Sequence, residues 1–146
     1  MIVATAELGE LSGRVAMVDG GFDPLHAGHI DYFEAAAELG LPVLCNVSSD
    51  AYIASKHPPL LSGEQRVRII DSIRHISYVH LSDLPTVEVL ERLQPRLYVK
   101  GDDWKGGLPD AEQETCERLG IEIRYLDTVR DSSSKLLASF QERSAR

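Results

Sequence analysis

His26 and His29 lie three positions apart at the end of a loop, Asp19-Gly20-Gly21-Phe22-Asp23-Pro24-Leu25, that joins an apolar run to a helical pattern. At the start of a helix, imidazoles at i and i+3 sit side by side. Both could then donate hydrogen bonds to phosphate oxygens on which charge builds in a transition state. Gly20 and Gly21 permit a tight turn and close approach of backbone to a ligand, and the first helical turn adds free N–H groups and a partial positive charge. Gly28 puts no side chain in a ligand's way. A phosphate suits such a position. On the residues alone two other uses stay open: His26 can cap the helix while His29 packs locally, or the pair can ligate a metal, for which no third ligand is evident. Neither G-x-G-x-x-G nor G-x-x-x-x-G-K-[ST] occurs, which removes most support for a dehydrogenase or a P-loop enzyme.

The elements that must position this loop can be read from the apolar pattern. Short runs rich in Val, Ile and Tyr at Arg14–Val18, Val43–Val47, Ile76–Leu81, Leu97–Val99 and Ile121–Leu126 have strand length. Helical patterns separate them: Leu25 to Leu39, ending at Gly40; a segment after Ser62, with Val67, Ile70 and Ile73 on one face; Thr86 to Leu93; Pro109 to Gly120; and a last helix opening in Ser132-Ser133-Ser134. This alternation predicts an α/β fold, a Rossmann-like, doubly wound parallel sheet of five strands with helices on both faces. Residues 1–13 are expected as an N-terminal extension and 14–146 as a single domain. Ligands of such sheets bind beyond the carboxyl ends of the strands, which directs attention to 19–29, 48–62, 100–108 and 127–134.

Several motifs stand in those loops in a recognisable order. The segment Gly21-Phe22-Asp23-Pro24-Leu25-His26-Ala27-Gly28-His29 resembles the H-x-G-H signature of the cytidylyltransferase-like nucleotidyltransferases. Val47-Ser48-Ser49-Asp50, Lys56, Glu64-Gln65-Arg66, Lys100-Gly101-Asp102-Asp103-Trp104 and the serine run follow in that family's order. The resemblance implies transfer of a nucleotide from CTP or ATP to a phosphorylated small molecule, with release of pyrophosphate and with Mg²⁺ bound alongside the nucleotide. The acceptor phosphate is itself the nucleophile. By the same resemblance His26, His29, Lys56 and Arg66 would be catalytic. Gly21, Phe22, Gly28, Lys100, Gly101, Asp102, Asp103, Trp104, Ser132, Ser133 and Ser134 would hold the nucleotide, and Asp23 and Lys56 the acceptor. Gly101-Asp102-Asp103-Trp104 is similar to the glycerol-3-phosphate cytidylyltransferases, and Lys100 to the heptose-phosphate nucleotidyltransferases. Pro58 and Ser82-Asp83-Leu84 occupy places where the glycerol-phosphate enzymes carry lysines, which weakens glycerol 3-phosphate as acceptor. A non-catalytic nucleotide-binding module of the same fold is the competing reading.

Composition sets outer bounds. With 146 residues, 43% of them hydrophobic, the chain has the size and balance of one domain with a real core. A net charge of −8 argues against a nucleic-acid surface. There is no basic leader with an apolar run and no stretch long enough to span a membrane, so a cytoplasmic enzyme is expected, without membrane partners and, by family resemblance, as a homodimer. Cys45 and Cys116 are unclustered and fit buried or free thiols; no protein-ligated metal is expected. The charge is uneven: residues 1–55 hold eight acids against Arg14 alone. Any positive potential around the histidine loop must therefore come from the helix terminus, the imidazoles, a metal ion, or bases supplied after residue 55.

Overall fold

Five parallel strands carry the alternating pattern in the computed structural model, which describes residues 1–127 and 133–144. They are β1 (Ala16–Gly20), β2 (Val43–Ser48), β3 (Tyr78–Ser82), β4 (Leu97–Gly101) and β5 (Glu122–Leu126), paired in the order β3-β2-β1-β4-β5. Central parallel strands are covered on both faces and therefore read as nearly continuous apolar runs. In β2 the buried run Val43-Leu44-Cys45 is broken only by buried Asn46 before Val47. The chain winds outward from β1 to β3 and then returns to place β4 on the other side of β1. That reversal leaves a crevice between the carboxyl ends of β1 and β4, the usual ligand site of such sheets.

Helices α1 (Ala27–Ala37) and α3 (Gly63–Asp71) cover one face, burying Phe33, Ala36, Val67 and Ile70 against Ala16, Val18 and Cys45. Helices α4 (Thr86–Leu93) and α5 (Asp110–Leu119) cover the other, with Val89, Leu90, Leu93 and Cys116 against Val15, Met17, Leu44 and Tyr98. Helix α6 (Ser133–Ser144) closes the chain. The terminators act as their residue types dictate. Ser62 accepts from the Gln65 amide at 3.2 Å to open α3. Gln94 (φ 47°) ends α4 one residue before Pro95, and Gly120 (φ 72°) ends α5.

Three features depart from the pattern-based expectation. The first helix is shorter than Leu25–Leu39, because His26 has an extended backbone (φ −143°) and serves as its N-cap. The segment 48–62 is not all loop: Ser49 accepts from the Tyr52 amide at 3.2 Å and opens α2 (Asp50–Ala54), too short to show a period. Residues 1–13, expected as an extension, instead pack into the domain. A 3₁₀ segment over Thr5–Leu11 buries Leu8 completely beside Met17 and Leu93, and the Val3 amide donates to Val79 O at 2.8 Å. Its few apolar residues gave no periodic signal.

Leu8→Ala tests this integration. Loss of a fully buried leucine should destabilise the whole domain by about 2–5 kcal/mol in a urea titration. A detachable segment would leave the midpoint unchanged.

Candidate active site

The histidine loop builds its own scaffold. The His26 Nδ1 accepts from the Gly28 amide at 3.1 Å, and the His29 Nδ1 accepts from the His26 amide at 3.2 Å. Two imidazoles thus do what a Ser and a Glu do in a capping box. The rings lie 3.8 Å apart between centroids. Gly28 is required less to clear space for a ligand than for this stack: a Cβ there would stand 2.9 Å from His26 Cε1. Because each Nδ1 accepts, each neutral ring carries its proton on Nε2. The His26 Nε2 is buried without a protein partner among the described residues.

Burial, reinforced by the neighbouring His26, holds the His29 pKa down at about 3. His29 therefore offers a neutral N–H donor at physiological pH, not the positive charge that an imidazolium would bring. Phe22 fixes the ring from beside it, edge-on at 4.9 Å, and takes a left-handed backbone (φ 54°) that is costly for a non-glycine residue. Gly21 lets the loop close over α2, since a Cβ would come within 2.4 Å of Ile53 Cδ1.

Arg66, expected to grip phosphate, points inward. It is 1% exposed, and four of its five N–H donors are spent: Nε on Leu61 O at 3.2 Å, Nη1 on Gly21 O at 2.8 Å and Ser48 O at 2.7 Å, and Nη2 on Asp50 Oδ1 at 2.7 Å. It ties together the loop after β1, the end of β2, α2 and the lead-in to α3. Asp23, expected on the acceptor, has a similar bracing task. Its carboxylate accepts from the Leu60 amide at 2.7 Å and the Leu61 amide at 3.0 Å. The reason is common to both: loop backbone brought under other chain has polar groups that water cannot reach, and these side chains satisfy them.

A cleft of about 660 Å³ opens above the carboxyl ends of the strands. Of the expected site residues it gathers Gly21, Phe22, Asp23, His29, Lys56, Lys100, Gly101, Asp103 and Trp104. His26, Gly28, Arg66 and Asp102 do not line it. Ser132 lies outside the described residues, and of Ser133 and Ser134 only their place at the start of α6 is described. Lys56 is exposed, with Nζ 4.8 Å from the Tyr52 ring centre. Lys100 is buried, bonded to Asp19 Oδ1 at 2.8 Å and 4.2 Å from the Trp104 ring centre.

The cleft also holds residues that motif reading passed over. Asp19 is the next-to-last residue of β1, and the Tyr98 hydroxyl lies 3.1 Å from its Oδ2 and 2.7 Å from Glu112 Oε1. One hydroxyl proton serves one carboxylate at a time, and burial raises the Glu112 pKa. Asn46 and Ser82 line the cleft from β2 and β3. A polar residue inside an apolar strand was the available signal for Asn46. Among the described residues no group of three or more His, Cys, Asp or Glu could hold a metal ion. No helix of the described chain is long and apolar enough to cross a membrane.

Residues 17–139 match the family model described as cytidylyltransferase-like. The chain is 37% identical over 121 residues to bifunctional protein HldE of Syntrophotalea carbinolica, covering 79% of this chain and 24% of that protein. It is 29% identical over 125 residues to HldE of Campylobacter concisus, covering 83% and 25% respectively. The chain thus spans about a quarter of the length of these relatives. Among solved structures, the lipopolysaccharide core biosynthesis protein from Thermoplasma volcanium superposes with a TM-score of 0.66 at 21% identity, over 81% of this chain and 98% of that one. Pantothenate synthetase from Thermus thermophilus superposes with a TM-score of 0.65 at 15% identity, over 97% and 70%. At such identities the likeness is one of fold.

Two outcomes check the site's construction. Arg66→Ala should cost about 3–5 kcal/mol in chemical denaturation, because it strips a buried hydrogen-bonded charge from its partners; a phosphate-binding surface arginine would cost almost nothing. The His29 pKa is lower in the fold than the ordinary 6.5, so between about pH 6.5 and pH 3 the unfolded chain binds the extra proton. Stability should therefore fall as pH drops through that window. His29→Asn should flatten the slope by up to about one proton, measured by urea titrations at stepped pH.

Proposed function

The chain belongs to the cytidylyltransferase-like family, and on that premise we propose that it transfers AMP or CMP from ATP or CTP to a phosphorylated sugar or polyol. The acceptors we assign are of the heptose 1-phosphate or glycerol 3-phosphate type. An acceptor phosphate oxygen attacks the α-phosphorus, the bond from that phosphorus to the bridging oxygen breaks, and pyrophosphate leaves with the electron pair. No protein nucleophile takes part. Catalysis then consists of aligning two anions and meeting the charge that grows on the phosphate oxygens.

The observation that carries the reading is the histidine pair. Both rings are locked by their Nδ1 atoms to backbone amides at the N-terminus of α1, which leaves the His29 Nε2–H on the cleft as a preset donor for a phosphate oxygen, backed by the stacked His26 ring. Of the two lysines in the cleft, Lys100 is neutralised by Asp19, so Lys56 carries the open positive charge. The β4 loop, Lys100 to Trp104, would hold the nucleoside. Mg²⁺ would enter on the nucleotide's phosphates, where it would neutralise part of their charge. Asp19, a carboxylate of the cleft, is engaged by Lys100 and Tyr98. By family resemblance the enzyme works in the cytoplasm as a homodimer.

The reading is tested by pyrophosphate release with Mg²⁺ and ATP or CTP against heptose 1-phosphates, glycerol 3-phosphate and ethanolamine phosphate. At least one combination should turn over, and chelation of Mg²⁺ should stop it. His29→Ala should lower kcat by about 10²–10³-fold while circular dichroism stays native, as loss of one preset donor does elsewhere. Silence across the panel, or full activity without His29, sinks the proposal.

A further inference from the structure

Parallel register sets Asp19 of β1, Asn46 of β2 and His80 of β3 side by side at the carboxyl end of the sheet. His80 is 1% exposed and bonded at both ring nitrogens, with Nδ1 2.8 Å from Asn46 Oδ1 and Nε2 2.8 Å from Thr5 Oγ1. An amide oxygen only accepts, so Nδ1 carries the ring proton; the neutral ring must then accept at Nε2, from the threonine hydroxyl. Burial lowers the His80 pKa and keeps the ring neutral. With Asn46 Oδ1 turned toward His80, the chain of bonds has one direction, Thr5 to His80 to Asn46.

With Oδ1 held by His80, the Asn46 amide nitrogen is the free end. Asn46 lines the cleft, and Nδ2 has no protein partner among the described residues. Ser82, two residues beyond His80 on β3, cannot substitute as a donor, because its hydroxyl donates to Leu84 O at 2.9 Å. Buried polar groups in strands are costly unless each bond is made. Here the cost fixes one N–H pair facing the open cleft. The location is on the β2–β3 side, away from the β4 loop assigned above to the nucleoside. Asp19 and Asp83 also border the cleft. A neutral donor with carboxylate acceptors nearby suits a hydroxyl, which both accepts and donates, and disfavours a phosphate.

We propose that Asn46 determines acceptor specificity by donating Nδ2–H to a hydroxyl oxygen of the acceptor's sugar or polyol part, with His80 and Thr5 as positioning residues. The inference rests on the nucleotidyltransferase reading. Asn46→Asp keeps the shape and the bond from His80 but replaces the free donor with an acceptor; Asn46→Ala deletes it. Thr5→Val removes the donor at Nε2, so that the ring can take its other tautomer and the amide can turn over. Thr5→Ser restores the hydroxyl.

The test uses the full chain with heptose 1-phosphate and glycerol 3-phosphate, reading KM by pyrophosphate release and Kd by calorimetry. Both Asn46 variants should raise the acceptor KM or Kd by about tenfold, the worth of one good hydrogen bond, with the nucleotide KM within about twofold of wild type. Thr5→Val should shift the acceptor constant in the same direction, and Thr5→Ser should return it. Unchanged acceptor constants, an equal loss of nucleotide affinity, or no binding of either acceptor by wild type would overturn the inference. If wild type binds acceptor in an Asn46-dependent way yet releases no pyrophosphate, the catalytic reading fails and the recognition role stands. Turnover indifferent to Asn46 has the opposite meaning. Should Asn46→Ala not fold, Asn46→Asp and Thr5→Val carry the same comparison.

Discussion

The cleft depends on one buried cation. Arg66 sits 1% exposed where the loop after β1, the end of β2, α2 and the approach to α3 converge, and it hydrogen-bonds to each of them. Without those bonds the carbonyls of Gly21, Ser48 and Leu61 would lose their charged donor. Burying a guanidinium is expensive in itself, so this one is best understood as a fastening whose worth lies in geometry. Its carboxylate partner Asp50 remains half exposed, which keeps the pair partly hydrated and the cost moderate. Asp23 completes the fastening from the opposite direction by holding the amides of Leu60 and Leu61. Everything that reaches the cleft from β1 and β2 inherits its position from this knot.

The electrostatic character of the site follows from what is left over. Net charge and the lack of bases between Arg14 and Lys56 make the segment carrying the histidines an unpromising place for polyanions. On the proposed reading, dipoles rather than net charge would meet a polyanion there. The His29 imidazole, held neutral by burial, a helix terminus and loop amides supply directed N–H groups that need no counter-ion and cost no reorganisation when phosphate charge shifts. Lys100, the buried base, is matched by Asp19 and shielded by Trp104. Preset donors in a site of low net charge discriminate by geometry, and an acidic protein can hold a triphosphate-like group without a general attraction for nucleic acid.

How much of this could be read in advance differs by element. Strand positions, the Ser62 cap, the stop before Pro95 and the Gly120 terminus were legible because each rests on local chemistry within a few residues. The H-x-G-H loop was legible as a tight turn into a helix start for the same reason. Arg66 was misread because the same residue type serves a phosphate or a set of carbonyls, and only the path of the loops decides which. Leu8 was invisible as core because a 3₁₀ segment with one deeply buried side chain has no period to detect. The Asn46–His80 bond joins residues 34 apart in sequence. Its only trace was a polar residue in each of two apolar runs, and nothing local says that they share a register.

The docked Thr5–Leu11 segment ties substrate discrimination to the completeness of folding. Release of this segment, which would have to expose the buried Leu8, would separate Thr5 from His80 while leaving the bonds of the histidine loop and of Arg66 made. Such a partly opened molecule would retain its phosphate-facing groups and lose its means of telling one acceptor from another. Fidelity in this protein would then depend on the docking of a segment far in sequence from the cleft loops, held in place by the fully buried Leu8.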